Sequence, residues 1–319
     1  NHTNYSCKKS FGCFLPGKTG ICSLTLSLIL LCGKIDSDFK PSGEVLMSNL
    51  ILIIVILSAV FFYFFAIAPK MNLGRRKTVS SFSRWDFAHR GLWNLEQGIP
   101  ENSMPAFIEA MRQHTAIELD VRLTKDHKLV VIHDSSLNRL CRVNGVVEKL
   151  TYAQLSALKL CGTEYGIPLL DEVLQTVRGR VPLLIEIKTY GSDLTICSCL
   201  FKKLEFYNGR YLVQSFDPFA LRWFSRNAPH VLTGQLAGVP PTTERRGFFA
   251  TLLSYILVIN VISRPDFISY ELHHADFLSV KINKHLYRTP IFVWTARTMN
   301  DYRQAKALFT SVIFEKITP

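Results

Sequence analysis

The sequence predicts an α/β protein whose main part is a single (β/α)8 barrel, preceded by one N-terminal transmembrane helix. Two observations lead to this prediction. Residues 82–319 alternate short apolar runs with amphipathic stretches, and they contain eight candidate strands within about 238 residues, the usual size of one such barrel. Residues 49–69 form a run of 21 residues without a charge, which is long enough to cross a bilayer as a helix.

The elements of the barrel follow from the periodicity of the apolar residues. Strands are predicted at 86–91, 117–123, 129–133, 182–188, 211–216, 231–237, 266–270 and 291–295. Helices are predicted at 102–114, 152–160, 171–178, 194–207, 218–227 and 300–309. The first of these helices opens with Asn and Ser as capping residues and with Pro105 in its first turn. An open doubly wound sheet is the alternative, but no glycine-rich fingerprint follows the first strand.

The apolar segment 49–69 accounts for much of the 48% hydrophobic content. A charge-free run of this length excludes an ordinary cytosolic protein, and the lack of a second one excludes a multi-span transporter. Four basic residues follow the segment directly: Lys70, Arg75, Arg76 and Lys77. Because positively charged flanks stay on the cytoplasmic side, we expect a single-pass protein of the cell membrane whose large C-terminal domain is cytoplasmic.

Residues 1–46 differ in composition from the rest of the chain. They are rich in Cys, Ser and Gly, and their apolar run at 21–32 is too short to span a membrane. Met47, directly before the apolar helix, resembles a natural protein start, so we interpret 1–46 as an atypical extension that is not native. A signal peptide with Lys8, Lys9 and Lys18 as its basic region is the alternative. Residues 70–83 are predicted as a basic linker and 84–319 as the barrel domain.

The net charge of +12 is spread along the chain, with 9 of the 37 basic residues in positions 1–77. A nucleic-acid-binding protein would concentrate its basic residues in one stripe, so we expect no nucleic-acid partner. The distribution suits a protein that lies near an anionic membrane surface. The 8 cysteines have neither zinc-site nor disulfide-framework spacing, and we predict free thiols in a reducing compartment.

Ionisable residues collect at the ends of the predicted strands, where barrel enzymes carry their chemistry. They form four groups, one for each of the first four strands: His89 and Arg90, Glu118 and Asp120, His133 and Asp134, and Glu186 and Lys188. A lone histidine or a Glu-x-Asp pair is ordinarily structural. Four strands that each end in such groups indicate a functional site instead.

The acidic members of this set predict a metal site. Glu118 and Asp120 lie two residues apart between apolar neighbours, so both carboxylates are expected on the inner face of the strand. Two close buried carboxylates need a cation to stay ionised. With Glu186 from another strand they form an all-oxygen set of the kind that Mg²⁺ or Ca²⁺ prefers, and zinc is less suited.

The ordered set of motifs closely resembles the glycerophosphodiester phosphodiesterase family, in the form of its membrane-anchored bacterial members. The motifs are His89-Arg90, Pro100-Glu101-Asn102, Glu118-x-Asp120, His133-Asp134, Glu186-x-Lys188, Gln214-Ser215-Phe216 and Val293-Trp294-Thr295. The resemblance extends over residues 82–319. It implies a metal-dependent TIM barrel of the phospholipase C-like phosphodiesterase type, which cleaves glycerophosphodiesters to glycerol 3-phosphate and an alcohol.

The resemblance also implies roles for individual residues. Glu118, Asp120 and Glu186 would bind the divalent metal, Mg²⁺ or Ca²⁺. His89 and His133 would act as general acid and base, in an order that the sequence leaves open. Arg90 and Lys188 would hold the phosphate, and Glu101 would support the site.

The aromatic residues Phe216 and Trp294, at strand ends, are predicted to contact the substrate, with Trp93 as a weaker candidate. A ring near the leaving group would suit choline through a cation–π contact. The C-terminal segment departs from the family pattern. The run Trp294-Thr295-Ala296-Arg297 lacks the Asn that the family often has soon after its W-T, and residues 310–319 have neither the Gly-rich last strand nor the T-D-x-P ending that is common in the family. These departures leave the substrate preference open.

Residues 247–262, which follow Arg245 and Arg246, form an apolar run that is short for a span. A helix packed on the barrel exterior is the simpler interpretation, and a loop helix that dips into the membrane and gives access to lysophospholipids is the alternative. For the whole protein, a lysophospholipase D or phospholipase D-like enzyme is the alternative function. A non-catalytic membrane-anchored binding module is the remaining alternative function. The sequence does not predict the oligomeric state.

Overall fold

The computed structural model describes residues 43–238, 247–317 and 319. Most of the predicted extension 1–46 therefore lies outside the described residues, as do its four cysteines and the pair Arg245 and Arg246. The chain divides into two units, Asn1–Ser58 and Ala59–Pro319. The four described cysteines, Cys141, Cys161, Cys197 and Cys199, are free thiols, as predicted.

Helix α1 (Gly43–Ile67) contains the predicted apolar segment. Its part Leu46–Ile67 is long and apolar enough to cross a membrane. The side chains of this part are largely exposed, with Ile53 at 53% and Phe61 at 74% of their full accessible surface. An exposed apolar surface of this length matches the hydrocarbon thickness of a bilayer.

The segment predicted as a basic linker, residues 70–83, is folded. It forms α2 (Leu73–Ser80) and a 3₁₀ turn (Ser81–Arg84). The guanidinium of Arg75 pairs with the buried carboxylate of Asp266 at 2.5 Å and donates to the carbonyl of Val231 at 2.7 Å. The sequence does not reveal this because the partners of Arg75 lie more than 150 residues away.

Within the described residues, one sheet of nine strands forms the centre of the unit Ala59–Pro319. The strands are β1 (Phe87–Ala88), β2 (Ala116–Leu123), β3 (Leu129–Val131), β4 (Leu183–Ile187), β5 (Tyr211–Ser215), β6 (Thr233–Ala237), β7 (Phe267–Glu271), β8 (Ile291–Ala296) and β9 (Ser311–Phe314). Eight of them run parallel in the order β1-β2-β4-β5-β6-β7-β8-β9, and β1 pairs with both β2 and β9. The sheet is therefore closed, and the predicted (β/α)8 barrel is confirmed.

One member of the predicted strand set is wrong. The run at 129–133 forms β3, which pairs antiparallel with β2 and lies outside the parallel ring. The eighth barrel strand is β9, for which the sequence predicts no strand. Val130 and Ile132 are buried against a separate cluster of loop side chains, so the run has the apolar character of a barrel strand. Strand β9 has only four residues, too few to show a period.

The helices of this unit surround the barrel. Those after α2 are α3 (Met104–Arg112), α4 (Asn138–Cys141), α5 (Tyr152–Ser156), α6 (Leu170–Val177), α7 (Thr195–Leu204), α8 (Pro218–Asn227), α9 (Phe248–Tyr255), α10 (Asn260–Ser263), α11 (Leu278–His285) and α12 (Met299–Leu308). The Ser103 hydroxyl caps α3, which has Pro105 in its first turn, as the sequence predicts. Further 3₁₀ turns are Leu95–Gln97, Val147–Lys149 and Leu272–His274.

An aromatic layer closes the N-terminal end of the barrel. Phe87, Phe267 and Phe292 are fully buried, and the ring of Phe292 lies 5.8 Å from that of Phe87 and 4.8 Å from that of Phe267. Gly234 of β6 leaves room for this layer, because a Cβ atom there would collide with the ring of Phe267. The open end of the barrel is therefore the C-terminal one.

Side chains of the barrel bind the last turn of α1, which belongs to the same unit. The amides of Asn260 and Asn283, both fully buried, donate to the carbonyl of Ile67 at 3.0 Å and 3.2 Å. The hydroxyl of Tyr287 and the guanidinium of Arg264 donate to two further carbonyls of that turn, at 2.8 Å and 2.7 Å. The last carbonyl groups of a helix have no partner within it, and these side chains supply one.

Candidate active site

A pocket with an empty volume of about 480 Å³ opens at the C-terminal ends of the barrel strands. Its walls are His89, Arg90, Glu118, His133, Glu186, Lys188, Gln214, Phe216, Leu236, Trp294, Thr295, Arg297 and Ile313. Eight of the ten predicted site residues are among them. The other two, Asp120 and Glu101, lie directly behind this wall and contact its members.

Three carboxylates from two neighbouring strands meet at the base of this pocket. Glu118 and Asp120 lie on the same face of β2, because side chains alternate along a strand. Glu186 of β4 is paired in register with Asp120. One oxygen from each carboxylate lies within 4.8 Å of the others, and all three side chains are buried.

The charges of this triad are strongly coupled. Burial, together with Asp120 and Glu186, raises the pKa of Glu118 well above its usual range. Burial acts in the same direction on Asp120, but Lys188, His133 and Arg90 outweigh it and hold its pKa well below the usual range. The ammonium of Lys188 lies 2.6 Å from Glu186 and 3.3 Å from Asp120. A divalent cation would offset the burial and the repulsion that raise the pKa of Glu118, so the triad fits one.

Hydrogen bonds to Glu118 and Glu101 hold Arg90 in place. It follows β1 with a positive φ of 62°, and its backbone N–H donates to Glu118 at 3.1 Å. Its guanidinium donates to Glu101 at 2.7 Å and lies 3.4 Å from Asp120. Burial opposes the charge of Arg90, but these acidic neighbours outweigh it and raise its pKa. Arg90 is therefore cationic and held at the pocket wall.

Asn102 is a site residue to which the sequence analysis assigns no role. Its side chain is 1% exposed, and its amide donates to Asp120 at 2.8 Å. It also adopts a positive φ of 51°, which Asn tolerates better than most residues. The only signal in the sequence is its place in the motif Pro100-Glu101-Asn102. Asn102 orients one oxygen of Asp120 within the triad.

The hairpin of β2 and β3 delivers His133 to the pocket. The backbone N–H of Ile132 donates to the carbonyl of Asp120 at 3.0 Å, which places the next residue beside the triad. Arg122, which is buried, donates to the carbonyl of His133 at 2.7 Å. His133 reaches the site from an antiparallel strand, and not from a barrel strand as the sequence predicts.

A chain of ion pairs connects His133 with Arg90. Nδ1 of His133 lies 2.6 Å from Asp134, and Asp134 accepts from Arg139 at 2.6 Å. Arg139 donates through two nitrogens to Glu101, at 2.7 Å and 2.9 Å, and Glu101 accepts from Arg90. Burial of Asp134 is outweighed by His133 and Arg139, which lower its pKa. Arg139 is not predicted from the sequence, because it belongs to none of the motifs.

His89 has its own acidic neighbour. Its backbone N–H donates to the carbonyl of Phe314 at 2.9 Å, which joins it to the end of β9. Its Nδ1 atom lies 3.8 Å from a carboxylate oxygen of Glu315, whose other oxygen accepts from Arg297 at 2.7 Å. Burial, with the adjacent charge of Arg90, lowers the pKa of His89. Arg297 and Glu315 both lie in the C-terminal segments that depart from the family pattern.

The two predicted aromatic residues lie together at the pocket. The rings of Phe216 and Trp294 are 5.7 Å apart and nearly perpendicular. The indole N–H of Trp294 donates to the carbonyl of Ser269 at 3.2 Å, which fixes the ring. Trp93 does not line this pocket. Its ring faces the ammonium of Lys316 at 4.5 Å in a neighbouring groove.

Comparison with known proteins gives one family. The model of the glycerophosphoryl diester phosphodiesterase family matches residues 89–318. A glycerophosphodiester phosphodiesterase from Bacillus altitudinis is 37% identical over 157 residues, 46% of this chain and 63% of the relative. A lysophospholipase D from Rattus norvegicus is 39% identical over 135 residues, 38% of this chain and 41% of the relative. The matches thus span less than two thirds of the length of these relatives.

Solved structures share the barrel. A glycerophosphodiester phosphodiesterase from Thermotoga maritima has a TM-score of 0.56 at 23% identity, covering 72% of this chain and 92% of that chain. A phosphodiesterase from Oleispira antarctica, in complex with the product sn-glycerol-3-phosphate, has a TM-score of 0.59 at 19% identity, covering 73% and 94%. At these identities the similarity establishes the fold.

Proposed function

Because this chain belongs to the glycerophosphoryl diester phosphodiesterase family, we propose that it hydrolyses glycerophosphodiesters to glycerol 3-phosphate and an alcohol. The observation that carries the proposal is one pocket with three carboxylates, two imidazoles, a guanidinium and an ammonium in its walls or directly behind them. Burying so many charges costs stability, and perturbed ionisable groups of this kind collect at catalytic sites. A non-catalytic binding module gives no reason for such a set.

Arg90 and Lys188 would bind the phosphodiester. Lys188 is a buried and Arg90 a half-buried cation at the pocket wall, and charge-assisted hydrogen bonds to phosphate oxygens are stronger in a site with little water. Glu101 holds the guanidinium of Arg90 by a hydrogen bond of 2.7 Å, so the side chain does not have to be ordered when substrate binds.

Glu118, Asp120 and Glu186 would hold a divalent cation, Mg²⁺ or Ca²⁺. Such an ion, when bound, withdraws charge from a phosphate oxygen and helps to orient the attacking oxygen. Asn102 would keep one oxygen of Asp120 engaged, so that the other faces the ion. The choice between the two metals depends on ligand number and distance, to which the substrate would contribute.

His89 and His133 would move the two protons of the reaction. One imidazole takes a proton from the attacking oxygen, and the other gives a proton to the oxygen of the leaving alcohol. Asp134 accepts from Nδ1 of His133, so the neutral ring carries its lone pair on Nε2. Burial lowers the pKa of His89 and so favours its neutral form, which suits this ring to accept a proton.

The test combines chelation with two substitutions. We expect release of glycerol 3-phosphate from glycerophosphocholine to stop with EDTA and to return with Mg²⁺ or Ca²⁺. We expect His89→Ala and His133→Ala each to lower kcat by about 10²–10⁴-fold, because each removes one proton-transfer group. His285→Ala, an exposed histidine outside the pocket, is the control. Full turnover in the chelator would contradict the metal role, and full turnover of either variant would remove that residue from the acid–base pair.

We also propose that α1 anchors the protein in the cell membrane with the barrel in the cytoplasm. The length and composition of Leu46–Ile67 support a span, and the basic residues after it support this orientation. A second candidate substrate class is lysophospholipids. It is supported by the similarity of this chain to the rat lysophospholipase D and by an apolar groove beside the pocket.

A further inference from the structure

An apolar groove with an empty volume of about 710 Å³ lies beside the active-site pocket. One wall is the start of α8, with Phe219, and the other is α9, with Ala250 and Leu253. Ile259 and Ile262, at α10, line it further. We call it the α8–α9 groove. Helix α9 lies within the apolar run 247–262, to which the sequence analysis gives two alternative interpretations.

The apolar side chains around this groove are unusually exposed. Phe219 is 55% exposed, Leu253 is 41% exposed, and Leu252 and Phe249 of the same helix are 41% and 76% exposed. By contrast, α6 buries Leu170, Val173, Leu174 and Val177 against the barrel. Clustered exposed apolar residues of this kind mark a binding surface, since exposure to water has a cost that burial would remove.

Phe216 connects the groove to the pocket, because this residue lines both. Helix α8 begins three residues after β5 ends, so its first turn lies at the C-terminal end of the barrel, where the pocket opens. A ligand that has a polar group in the pocket can therefore place a continuous apolar tail in the groove.

Among its described lining residues, the groove offers no unengaged charge to a second ionic group. Asp217 is the one ionisable residue among its described lining residues, and both of its carboxylate oxygens are engaged. One accepts from the backbone N–H of Phe219 and the other from the hydroxyl of Thr189, each at 2.9 Å. The remaining polar atoms described there are the hydroxyls of Thr251 and Ser254. These surroundings favour a hydrocarbon chain.

We propose that the α8–α9 groove binds the acyl chain of a lysophospholipid whose phosphodiester lies in the pocket. The proposal rests on the proposed function and names its substrate class. Water is the other reactant. Its hydroxyl becomes bonded to phosphorus as the bond from phosphorus to the head-group oxygen breaks, and its second proton ends on that oxygen. The products are an acylglycerol phosphate and the free head-group alcohol.

The test uses the full chain in lipid nanodiscs and a series of phosphocholine substrates. The series begins with glycerophosphocholine and continues with acyl chains of increasing length, each kept below its critical micelle concentration. We expect kcat/KM to rise with chain length, by up to roughly fourfold for each methylene group that enters the groove. Choline release is measured for every substrate, so the same assay reports on activity without a chain.

Two substitutions probe the groove, and one matched substitution serves as control. We expect Phe219→Ser and Leu253→Ser to lower kcat/KM for the longest chain by about tenfold, because each removes apolar contact area. Activity on glycerophosphocholine should not change, since neither side chain lines the pocket. Phe206→Ser is the control, because Phe206 is 86% exposed and follows the end of α7 at the opposite end of the barrel.

Each outcome supports or overturns the proposal. If no substrate of the series is hydrolysed, the proposed function and the groove proposal both fall. If glycerophosphocholine is hydrolysed but the rate does not depend on chain length, the function stands and the groove proposal falls. It also falls if Phe206→Ser has the same effect as Phe219→Ser. The same substrates are also assayed in vesicles. If Phe219→Ser and Leu253→Ser lower kcat/KM only for substrate embedded in vesicles, the α8–α9 groove contacts the bilayer and the groove proposal falls.

Discussion

Glu315 occupies a position beside His89 that the family pattern does not predict. One of its oxygens accepts from Arg297 at 2.7 Å, and the other lies 3.8 Å from Nδ1 of His89. Burial opposes ionisation of Glu315, but His89 and Arg297 outweigh it and lower its pKa to about 2. The carboxylate therefore stays charged next to the pocket at every physiological pH.

This lowered pKa predicts how Glu315→Gln changes stability with pH. The folded state binds the ionised form more tightly than the unfolded state does, so Glu315 stabilises the fold above its ordinary pKa of 4.5. That contribution is lost as the pH falls from 4.5 towards about 2. We expect the variant to melt below the wild type at neutral pH and the difference to narrow over this range.

Thermal melts of the two proteins across this pH range measure the difference. Glu164→Gln, at an exposed position, is the control and should show no such narrowing. A difference in Tm that stays constant from neutral pH down to pH 3 would show that the charge of Glu315 does not contribute to stability.

The sequence predicts the residues that line the site better than those that hold them in place. Glu118, Asp120 and Glu186 are predictable because strand alternation and closely spaced motifs place them on one face. Arg139 is not, because its contact with Glu101 spans 38 positions and comes from helix α4, after β3. Long-range ion pairs depend on the completed fold, so the spacing of residues along the chain does not predict them.

At the scale of elements, the β2–β3 hairpin explains why His133 is correctly expected at the site and why its strand is wrongly assigned to the barrel. It brings His133 beside Asp120, so the prediction that the two lie near each other follows even though the strand assignment is wrong. The apolar run at 129–133 is buried on both sides, which makes it look like a barrel strand in the sequence. The short turn after β2 decides the direction of β3, because it reverses the chain and makes the two strands antiparallel.

Strand β6 allows a prediction about packing. A Cβ atom at Gly234 would collide with the ring of Phe267, which is held against Phe292 in the aromatic layer. We expect Gly234→Ala to lower the free energy of unfolding by about 1–3 kcal/mol, as is usual for overpacking of a core. Denaturant unfolding of the purified protein measures this change.

The paired substitution distinguishes collision from a loss of backbone freedom. Gly234→Ala combined with Phe267→Leu should be more stable than the sum of the two single effects, since the smaller side chain makes room for the added methyl group. Strict additivity would show that the ring of Phe267 is not what excludes a side chain at Gly234.

At the scale of the whole molecule, the barrel is the most predictable feature and the linker the least. The alternation of apolar runs over residues 82–319 is sufficient to predict the barrel, and seven of its eight parallel strands coincide with predicted ones, with β9 as the exception. The segment 70–83 is predicted only as a basic linker between the apolar helix and the barrel. Its helix α2 and its buried pair between Arg75 and Asp266 depend on residues far away in the sequence.

The proposed orientation predicts the pattern of proteolysis. We expect protease added to intact cells to leave a C-terminal epitope tag intact, because the barrel would be cytoplasmic. Permeabilised cells should lose the tag under the same conditions. Digestion in intact cells, with a cytoplasmic marker protein still protected, would place the barrel on the other side of the membrane.

The hydrogen bonds at the last turn of α1 mean that this helix also stabilises the barrel unit. Asn260 and Asn283 are buried within the barrel unit, and both donate to the carbonyl of Ile67. A chain cut after this residue would leave the buried amide of Asn260 without its acceptor and that of Asn283 with the carbonyl of Ser279 alone. A buried donor without an acceptor costs about 1–3 kcal/mol. Shedding of the catalytic part by a protease would therefore weaken the released fragment, and a durable water-soluble version must keep the last turn of α1, residues 64–67.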